Sequence, residues 1–451
     1  MSVDKLRILT DAIKRFLRRG AISHLKKIVN KAHAADLAVV FRNLSFSEQQ
    51  KVYNLIEDIE QKGYLFSELD VDTFLYLIEG ISLDEIVEIL ESMPGDDAAD
   101  LLGRLPKEKA DVILEKMNKE DSMDVEDLLK YDDDTAGGIM VTDFIALKED
   151  ITAKEAIELL QKEYADVEMP FYLYVIDDEE HLVGVISLRQ LVVVNPNTPL
   201  KKFMTTDVVY VRTDMDQEEV ARIVSRYDIL AVPVLDESKK LVGIVTVDDV
   251  IDIVRMEATE DILKMAGVGE EFVETKSIFR STKIRLPWLF ASCIGGIFAS
   301  IVIGSFTATI SKIAYIAAFM PVIAGMGGNI GTQSSTIVVR GLATGRLDIR
   351  NLWPVVLKEL TVGVILGVIY GIIIGFFVNF RYGVGAFSLS VGFSVLTSMS
   401  IAALVGALVP MIFGKLNIDP AVATGPFVTT SIDVIGVYFY FKIVTLFVLA
   451  S

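Results

Sequence analysis

Three different rhythms of apolar and polar residues follow one another along the chain. Residues 1–135 carry short apolar-periodic runs, such as 83–93, 97–104 and 107–117, separated by polar turns. Runs recurring at 15–20 residues predict an all-α, solenoid-like stack of short helices. Ser82-Leu83-Asp84-Glu85 opens one run as a capping box, and Ser47-Glu48-Gln49-Gln50 offers the same chemistry earlier. Between 136 and 256 the pattern changes to short strand, helix, strand, turn, strand, helix, and then does so again. Beyond residue 281 come about five apolar stretches, roughly 285–307, 313–338, 353–380, 388–414 and 420–449. Each is long enough to cross about 30 Å of hydrocarbon as a helix. The expected fold is therefore multi-domain: a helical domain at 1–135, α/β repeats at 136–200 and 201–256, a connecting helix at 257–280, and an all-α membrane domain of five helices at 281–451.

The middle region is a duplication. Ile139-Met140-Val141-Thr142-Asp143 matches Phe203-Met204-Thr205-Thr206-Asp207, 64 positions later. Tyr172-Leu173-Tyr174-Val175-Ile176-Asp177 matches Ala231-Val232-Pro233-Val234-Leu235-Asp236, and Leu182-Val183-Gly184-Val185-Ile186-Ser187 matches Leu241-Val242-Gly243-Ile244-Val245-Thr246. Internal similarity of this kind marks repeated structural units. The pattern resembles a tandem of cystathionine-β-synthase (CBS) domains, a regulatory pair that often binds adenine nucleotides. Thr246-Val247-Asp248-Asp249 keeps the Thr-x-x-Asp of those domains, whose hydroxyl and carboxylate reach phosphate and ribose. The first copy has Ser187-Leu188-Arg189-Gln190, with Gln190 in place of the acid. The resemblance thus implies at most one ordinary nucleotide site, with Ser187, Arg189, Thr246 and Asp249 as candidates and ATP as a regulatory ligand. No Gly-x-x-x-x-Gly-Lys-Ser/Thr loop is present, so ATP-driven pumping has no visible machinery.

Charge divides the chain at the same place as hydropathy. The whole sequence holds 43 Lys+Arg and 62 Asp+Glu, a net charge of −19. Residues 281–451 contain ten basic and four acidic residues, leaving −25 on residues 1–280. An acidic half of this size repels nucleic acid and attracts cations. The single cysteine, Cys293, lies in an apolar stretch, and His24, His33 and His181 are scattered outside the apolar region. A metal handled by such a chain is a hard, oxygen-seeking one. The beginning Met-Ser-Val-Asp-Lys shows no cleavable apolar segment, which places the first half in the cytoplasm. Five spans then put the C-terminus outside a cell membrane. Lys283, Arg285, Arg340, Arg346, Arg350, Lys358 and Lys415 fall on the inner side, as the positive-inside rule requires.

Within residues 281–451 the only acids are Asp348, Glu359, Asp419 and Asp433. The first three are expected at membrane edges or loops, and Asp433 deep in the hydrocarbon. A charge there costs about 2.5–3.5 kcal/mol on insertion scales and needs a partner, a proton or a water-filled path. Pro426 is expected to free a carbonyl near residue 422, and Thr429 lies one turn before Asp433 on the same face. Asn329, Gln333, Thr336 and Arg340 form a polar stripe on the second span, following Gly325-Met326-Gly327-Gly328. Hydroxyls, carbonyls and one carboxylate suit a hydrated Mg²⁺, which gives up its waters reluctantly. On the cytoplasmic side, Asp96, Asp97 and Asp100 crowd one helix start, either as helix-dipole partners or as a cation site. Asp249, Asp252, Glu257, Glu260 and Asp261 make a second acidic run.

Over nearly its full length the chain resembles the MgtE family of magnesium channels. The resemblance rests on the domain order and on two motifs, Gly328-Asn329-Ile330-Gly331-Thr332-Gln333 and Asp419-Pro420 followed by Pro426 through Asp433. Thr332 stands where the family usually has Asn, and Gly425 where a more polar residue is common. The resemblance implies a homodimer with Asp433 of each copy lining a pore on the two-fold axis and Asp419 nearer the cytoplasm. It also implies a plug helix at about 257–277, and Mg²⁺-sensing acids Glu218, Asp228, Asp249, Asp252, Glu257, Glu260 and Asp261, with Asp96 or Asp97 and Asp100 in the first domain. The expected function is gradient-driven Mg²⁺ uptake, closed by cytosolic Mg²⁺, with no enzymatic activity. Two alternatives stay open: transport of Co²⁺, Mn²⁺ or Ni²⁺, and a CBS-bearing membrane sensor that transports nothing. An intramembrane metalloprotease would need His-Glu-x-x-His in a span, and no histidine lies in any of them.

Overall fold

Polar caps punctuate the first domain, and apolar residues every three or four positions join its helices. Among the described residues these are α1 (Val3–Arg19), α2 (Ile22–Val29), α3 (Ala34–Phe41), α4 (Phe46–Tyr53), α5 (Ile59–Ser67), α6 (Val71–Ile78), α7 (Leu83–Glu91), α8 (Gly95–Gly103), α9 (Lys107–Leu114) and α10 (Lys119–Leu128). The Ser82 hydroxyl accepts a bond from the Glu85 N–H at 3.3 Å, one half of the predicted capping box, while the Glu85 carboxylate accepts from Lys62 at 2.6 Å instead of returning to the cap. The earlier box is built on Ser45, not Ser47: Glu48 accepts from the Ser45 N–H at 3.0 Å, and Ser47 lies inside α4. That register buries Val52 and Tyr53, and their burial outweighs the local preference of Ser47.

This computed structural model describes residues 3–163, 172–268, 278–312 and 314–448. Their contacts divide the chain into two units, residues 1–255 and 256–451.

The duplication is visible in the strand order and pairing of the first unit's two sheets. In one, β1 (Ala146–Lys148) pairs parallel with β2 (Tyr172–Ile176), which pairs antiparallel with β3 (Leu182–Ser187); β4 (Val211–Arg212), β5 (Ala231–Leu235) and β6 (Leu241–Thr246) repeat the arrangement. Both antiparallel pairs shift register at the same place, Val175/Ile176 and Val234/Leu235. The copies also exchange their leading segments. Val141 bridges to Ile244 of the second copy, and Thr205 bridges to Val185 of the first. Gly184 and Gly243 allow this: a Cβ at either would lie 2.6 Å from the sulfur of Met204 or Met140. Helices α11 (Ala153–Glu163), α12 (Leu188–Val193) and α13 (Gln217–Tyr227) complete the two folds.

The helix that follows, α14 (Val247–Met265), runs past the expected domain end at 256. Neither Gly nor Pro interrupts 247–265, so the connecting helix begins as a continuation of the second repeat and ends before Gly267, whose φ is +74°. The rest of the expected plug, 269–277, lies outside the described residues.

The second unit contains α15 (Ile278–Ser305), α16 (Thr307–Lys312), α17 (Met320–Ala343), α18 (Leu352–Tyr382), α19 (Gly385–Lys415), α20 (Pro420–Thr424) and α21 (Pro426–Val448). Four segments are long and apolar enough to span a membrane: 278–305, 349–382, 385–415 and 420–447. The fifth expected span is α17. Its 24 helical residues reach about 36 Å, but its glycines, amides and hydroxyls keep it below that level of hydropathy.

Buried α19 is the centre of this unit, and glycines let its neighbours approach. Gly363, Gly367, Gly371 and Gly375 form a ladder along the buried face of α18. A Cβ at Gly367 would lie 2.9 Å from Leu396 Cα, and one at Gly371 would lie 2.7 Å from the Gly392 carbonyl oxygen. Such small-residue seams supply van der Waals packing where hydrophobic burial offers little driving force. Glu359 belongs to the same seam. It is 4% exposed and accepts a bond from the buried Ser334 hydroxyl at 2.9 Å, so it turns into the helix packing.

Candidate ion pathway and cation-sensing acids

A broken helix positions the central acid. The Asp419 carboxylate caps α20 by accepting from the Ala421 N–H at 2.8 Å, and Pro420 follows at the first helical position. The helix lasts five residues and gives way at Gly425, whose φ and ψ are −71° and −122°. A new helix, α21, starts at Pro426. Pro426 therefore opens a helix instead of interrupting one, and the Gly425 carbonyl before it is taken up at once. Thr429 turns back onto this carbonyl, its hydroxyl donating at 3.1 Å and its N–H at 3.3 Å.

One turn further on, Asp433 is half-buried. Among the described residues no side chain or backbone N–H donates a hydrogen bond to it. Its neighbour Ile432 is 2% exposed and fits against Gly327 and Gly331 of α17. This knob in a glycine hollow sets Asp433 at the level of residues 327–331. Ile330, Gly331, Ser334, Ser335, Val338 and Val339 of α17 face inward, whereas Asn329, Gln333 and Thr336 are exposed on the other side. Thr332 is exposed with them. Amide groups cannot face lipid without losing their hydrogen bonds. This stripe belongs against another protein surface or a water-filled path.

The predicted sensing acids take several different situations. Asp96 stands in the first turn of α8 with its Oδ1 sealed from solvent and without a hydrogen-bond partner. Burial, then the carboxylates of Asp249 and Asp97, push its carboxyl up to about 8. The structure thus brings together an acid of the helical domain and one of the second repeat. Asp100 is exposed and faces Arg104 and Asp133 instead. Glu218 pairs with Arg222 at 3.3 Å, Asp252 with Arg255 at 3.3 Å, and Asp228 ends α13 in a left-handed conformation with φ 52°. Glu260 and Asp419 share the Lys264 ammonium, which lies 2.7 Å from Asp419. Burial pulls that ammonium down, but its bonds to Asp419 and Glu260 outweigh burial and hold it above the ordinary lysine range. Glu257 and Asp261 also have partners. Among the described residues no three acids or histidines converge as a ready-made metal site.

The candidate nucleotide residues are occupied locally. The Thr246 hydroxyl bonds the Asp249 carboxylate. Ser187 and Gln190 close a capping box, with bonds of 2.9 and 3.2 Å, and Arg189 is exposed. Lys264 escaped the sequence reading, which counted acids and not the base four residues after Glu260; that i,i+4 spacing was its signal.

Four regions of the chain match three known families. Residues 320–443 match "Divalent cation transporter", residues 32–134 the "MgtE intracellular N domain", and residues 136–197 and 200–255 the CBS domain. A protein named magnesium transporter MgtE from Thermus thermophilus is 38% identical over 325 residues, 72% of each chain. The chain belongs to the MgtE family. Another relative of that name, from Enterococcus faecalis, is 37% identical over 72% of this chain and 71% of its own. A solved structure, the cytosolic domain of the Mg²⁺ channel MgtE in complex with ATP, covers 54% of this chain and 99% of its own, with 34% identity and a TM-score of 0.51. Membership fits the multi-domain architecture and the apolar helices of the second unit.

Proposed function

We propose that this protein conducts Mg²⁺ across the cell membrane through a path lined by Asp433 and the Asn329–Gln333–Thr336 stripe, and that cytosolic Mg²⁺ closes it. The observation that carries this reading is a half-buried carboxylate, set by Ile432 at the height of an exposed amide stripe, in a unit with four helices long and apolar enough to cross a membrane. One aspartate neutralises half of a divalent charge. A second copy across a two-fold axis supplies the other half and covers the stripe, so the path belongs to a homodimer. Ligands here contact the ion's hydration shell, since Mg²⁺ dehydrates reluctantly and favours few carboxylates. Asp419 adds charge at the cytoplasmic end. With the interior negative, entry gains about 2.3 kcal/mol per charge per 100 mV, twice that for a divalent ion, and ATP hydrolysis is not needed.

Closure follows from the soluble acids. Asp96 and Asp249 repel when both are ionised, and a divalent ion between them removes the repulsion and draws the helical domain onto the second repeat. Asp97, Asp100, Glu218, Asp228, Asp252, Glu257, Glu260 and Asp261 offer further weak sites. An ion that binds the closed arrangement better shifts the population toward it by that difference in affinity. ATP is a regulatory ligand of the CBS pair in this reading, supported by the ATP complex of a 34%-identical cytosolic domain. It would have to take Thr246 from Asp249. Orientation follows the positive-inside rule, with the N-terminus cytoplasmic.

Mg²⁺ flux into liposomes carrying the purified chain tests the path. Asp433→Ala is expected to lower flux at least about tenfold, the effect of removing a charged ligand worth more than about 1.4 kcal/mol. Parent-like flux in that variant would leave Asp433 without a role; no Mg²⁺ flux in the parent would favour the non-transporting sensor, and comparable Mn²⁺ or Co²⁺ flux in the parent would favour a broader divalent transporter.

A further inference from the structure

The end of α14 meets the start of α20, and a lysine holds it there. Lys264 lies between Glu260, one turn back on the same helix, and Asp419, the cap of α20, 2.7 Å away. The three side chains are only 25–36% exposed. Beyond Lys264 the backbone packs on the helix break: a Cβ at Gly425 would lie 3.6 Å from the Met265 carbonyl oxygen and 3.7 Å from the Gly267 nitrogen. Two carboxylates from separate segments, joined by one cation, have the composition of a divalent-ion bridge. Here the cation is part of the chain.

We infer that Lys264 is a tethered cation that occupies the Glu260–Asp419 pair in place of a divalent ion and latches α14 onto the mouth of the pathway. This rests on the proposed conduction path, to which it adds a regulatory residue. A free ion leaves when its concentration falls; an ammonium on the same chain does not. The latch therefore keeps part of the population closed when cytosolic Mg²⁺ is low, and it lowers the negative charge Asp419 presents to an ion in transit. Coupling through one shielded ion pair is expected to bias the open–closed balance by about fivefold, the lower end of coupling between sites. Higher ionic strength weakens it, because salt screens partly exposed charges.

The test uses the full chain with Lys264→Gln, and Lys264→Arg as the rescue that keeps the charge. Hydrogen exchange over residues 257–268, in Mg²⁺-free buffer and with millimolar Mg²⁺, reports the latch without relying on conduction. Lys264→Gln is expected to lose protection by about fivefold without Mg²⁺ and regain it when Mg²⁺ takes the vacated carboxylates, while Lys264→Arg stays with the parent. In liposomes the same variant should pass more Mg²⁺ at low cytosolic Mg²⁺. Parent-like protection in Mg²⁺-free Lys264→Gln overturns the latch whatever the flux; altered protection in a chain whose parent conducts no Mg²⁺ supports the latch and overturns the conduction reading alone.

Discussion

The Asp96–Asp249 and Glu260–Asp419 pairs pose the same electrostatic problem and answer it differently. Both set carboxylates from separate parts of the chain close together in partly dry surroundings. At the second, Lys264 supplies the positive charge within reach of both acids. At the first, one oxygen of Asp96 is left sealed and unbonded, and the acid holds its proton up to about pH 8. A pair that carries its own cation is a fixed contact with modest salt sensitivity. A pair without one is sensitive to whatever cation the solution provides, a proton or a metal. Glu359 shows a third solution, a buried acid held by the neutral hydroxyl of Ser334.

The largest expected effect comes from removing the uncompensated acid. A carboxyl whose native pKa lies above its unfolded value, 3.8 against about 8, binds its proton more tightly when folded. Its contribution is complete below about pH 4 and is lost as pH rises toward 8. Without divalent ions, hydrogen exchange over residues 95–103 and 247–253 is therefore expected to speed up across that window. Asp96→Asn should flatten the pH dependence and slow exchange at pH 7 by an amount on the order of 2–4 kcal/mol. It should also remove the protection that Mg²⁺ restores in the parent. Pronounced pH dependence surviving in Asp96→Asn would move the sensing contact elsewhere.

Next in size is Glu359. Truncation to Ala leaves the Ser334 hydroxyl buried without its acceptor and opens a cavity, a loss of about 2–4 kcal/mol. Glu359→Gln keeps an acceptor oxygen and should cost under about 1 kcal/mol. Thermal unfolding of the full chain in detergent separates the two; equal losses would mean that the carboxylate charge, and not hydrogen bonding to Ser334, holds α18 to α17.

Much of this was readable from the residues. Strict duplication betrayed the two repeats, because the Gly184/Gly243 and Met140/Met204 pairs that lock them together recur at matching places. Asp433 and the Asn329 stripe stood out as polar groups in apolar runs, and the stripe's outward aspect follows from its spacing. What failed depends on tertiary context. Glu359 stood near the start of a long apolar run, and its bond to Ser334 of a separate helix has no local signal. The acidic run at 257–261 resembled a new helix, although nothing in 247–265 breaks the old one. Ser45 and Ser47 compete as caps with equal local chemistry, and burial of Tyr53 chooses between them. The partnership of Asp96 with Asp249 joins residues 153 positions apart, and no local pattern encodes it.

The central claim is that one ion is both cargo and signal, and the most direct measurement is Mg²⁺ entry into liposomes as free Mg²⁺ on the cytoplasmic-domain side is raised at pH 6 and at pH 8. The account predicts that entry shuts off as Mg²⁺ rises, at lower Mg²⁺ at pH 8, where the Asp96 proton competes less with the ion than at pH 6. Entry that follows only the Mg²⁺ gradient, with the same concentration dependence at both pH values, would contradict it.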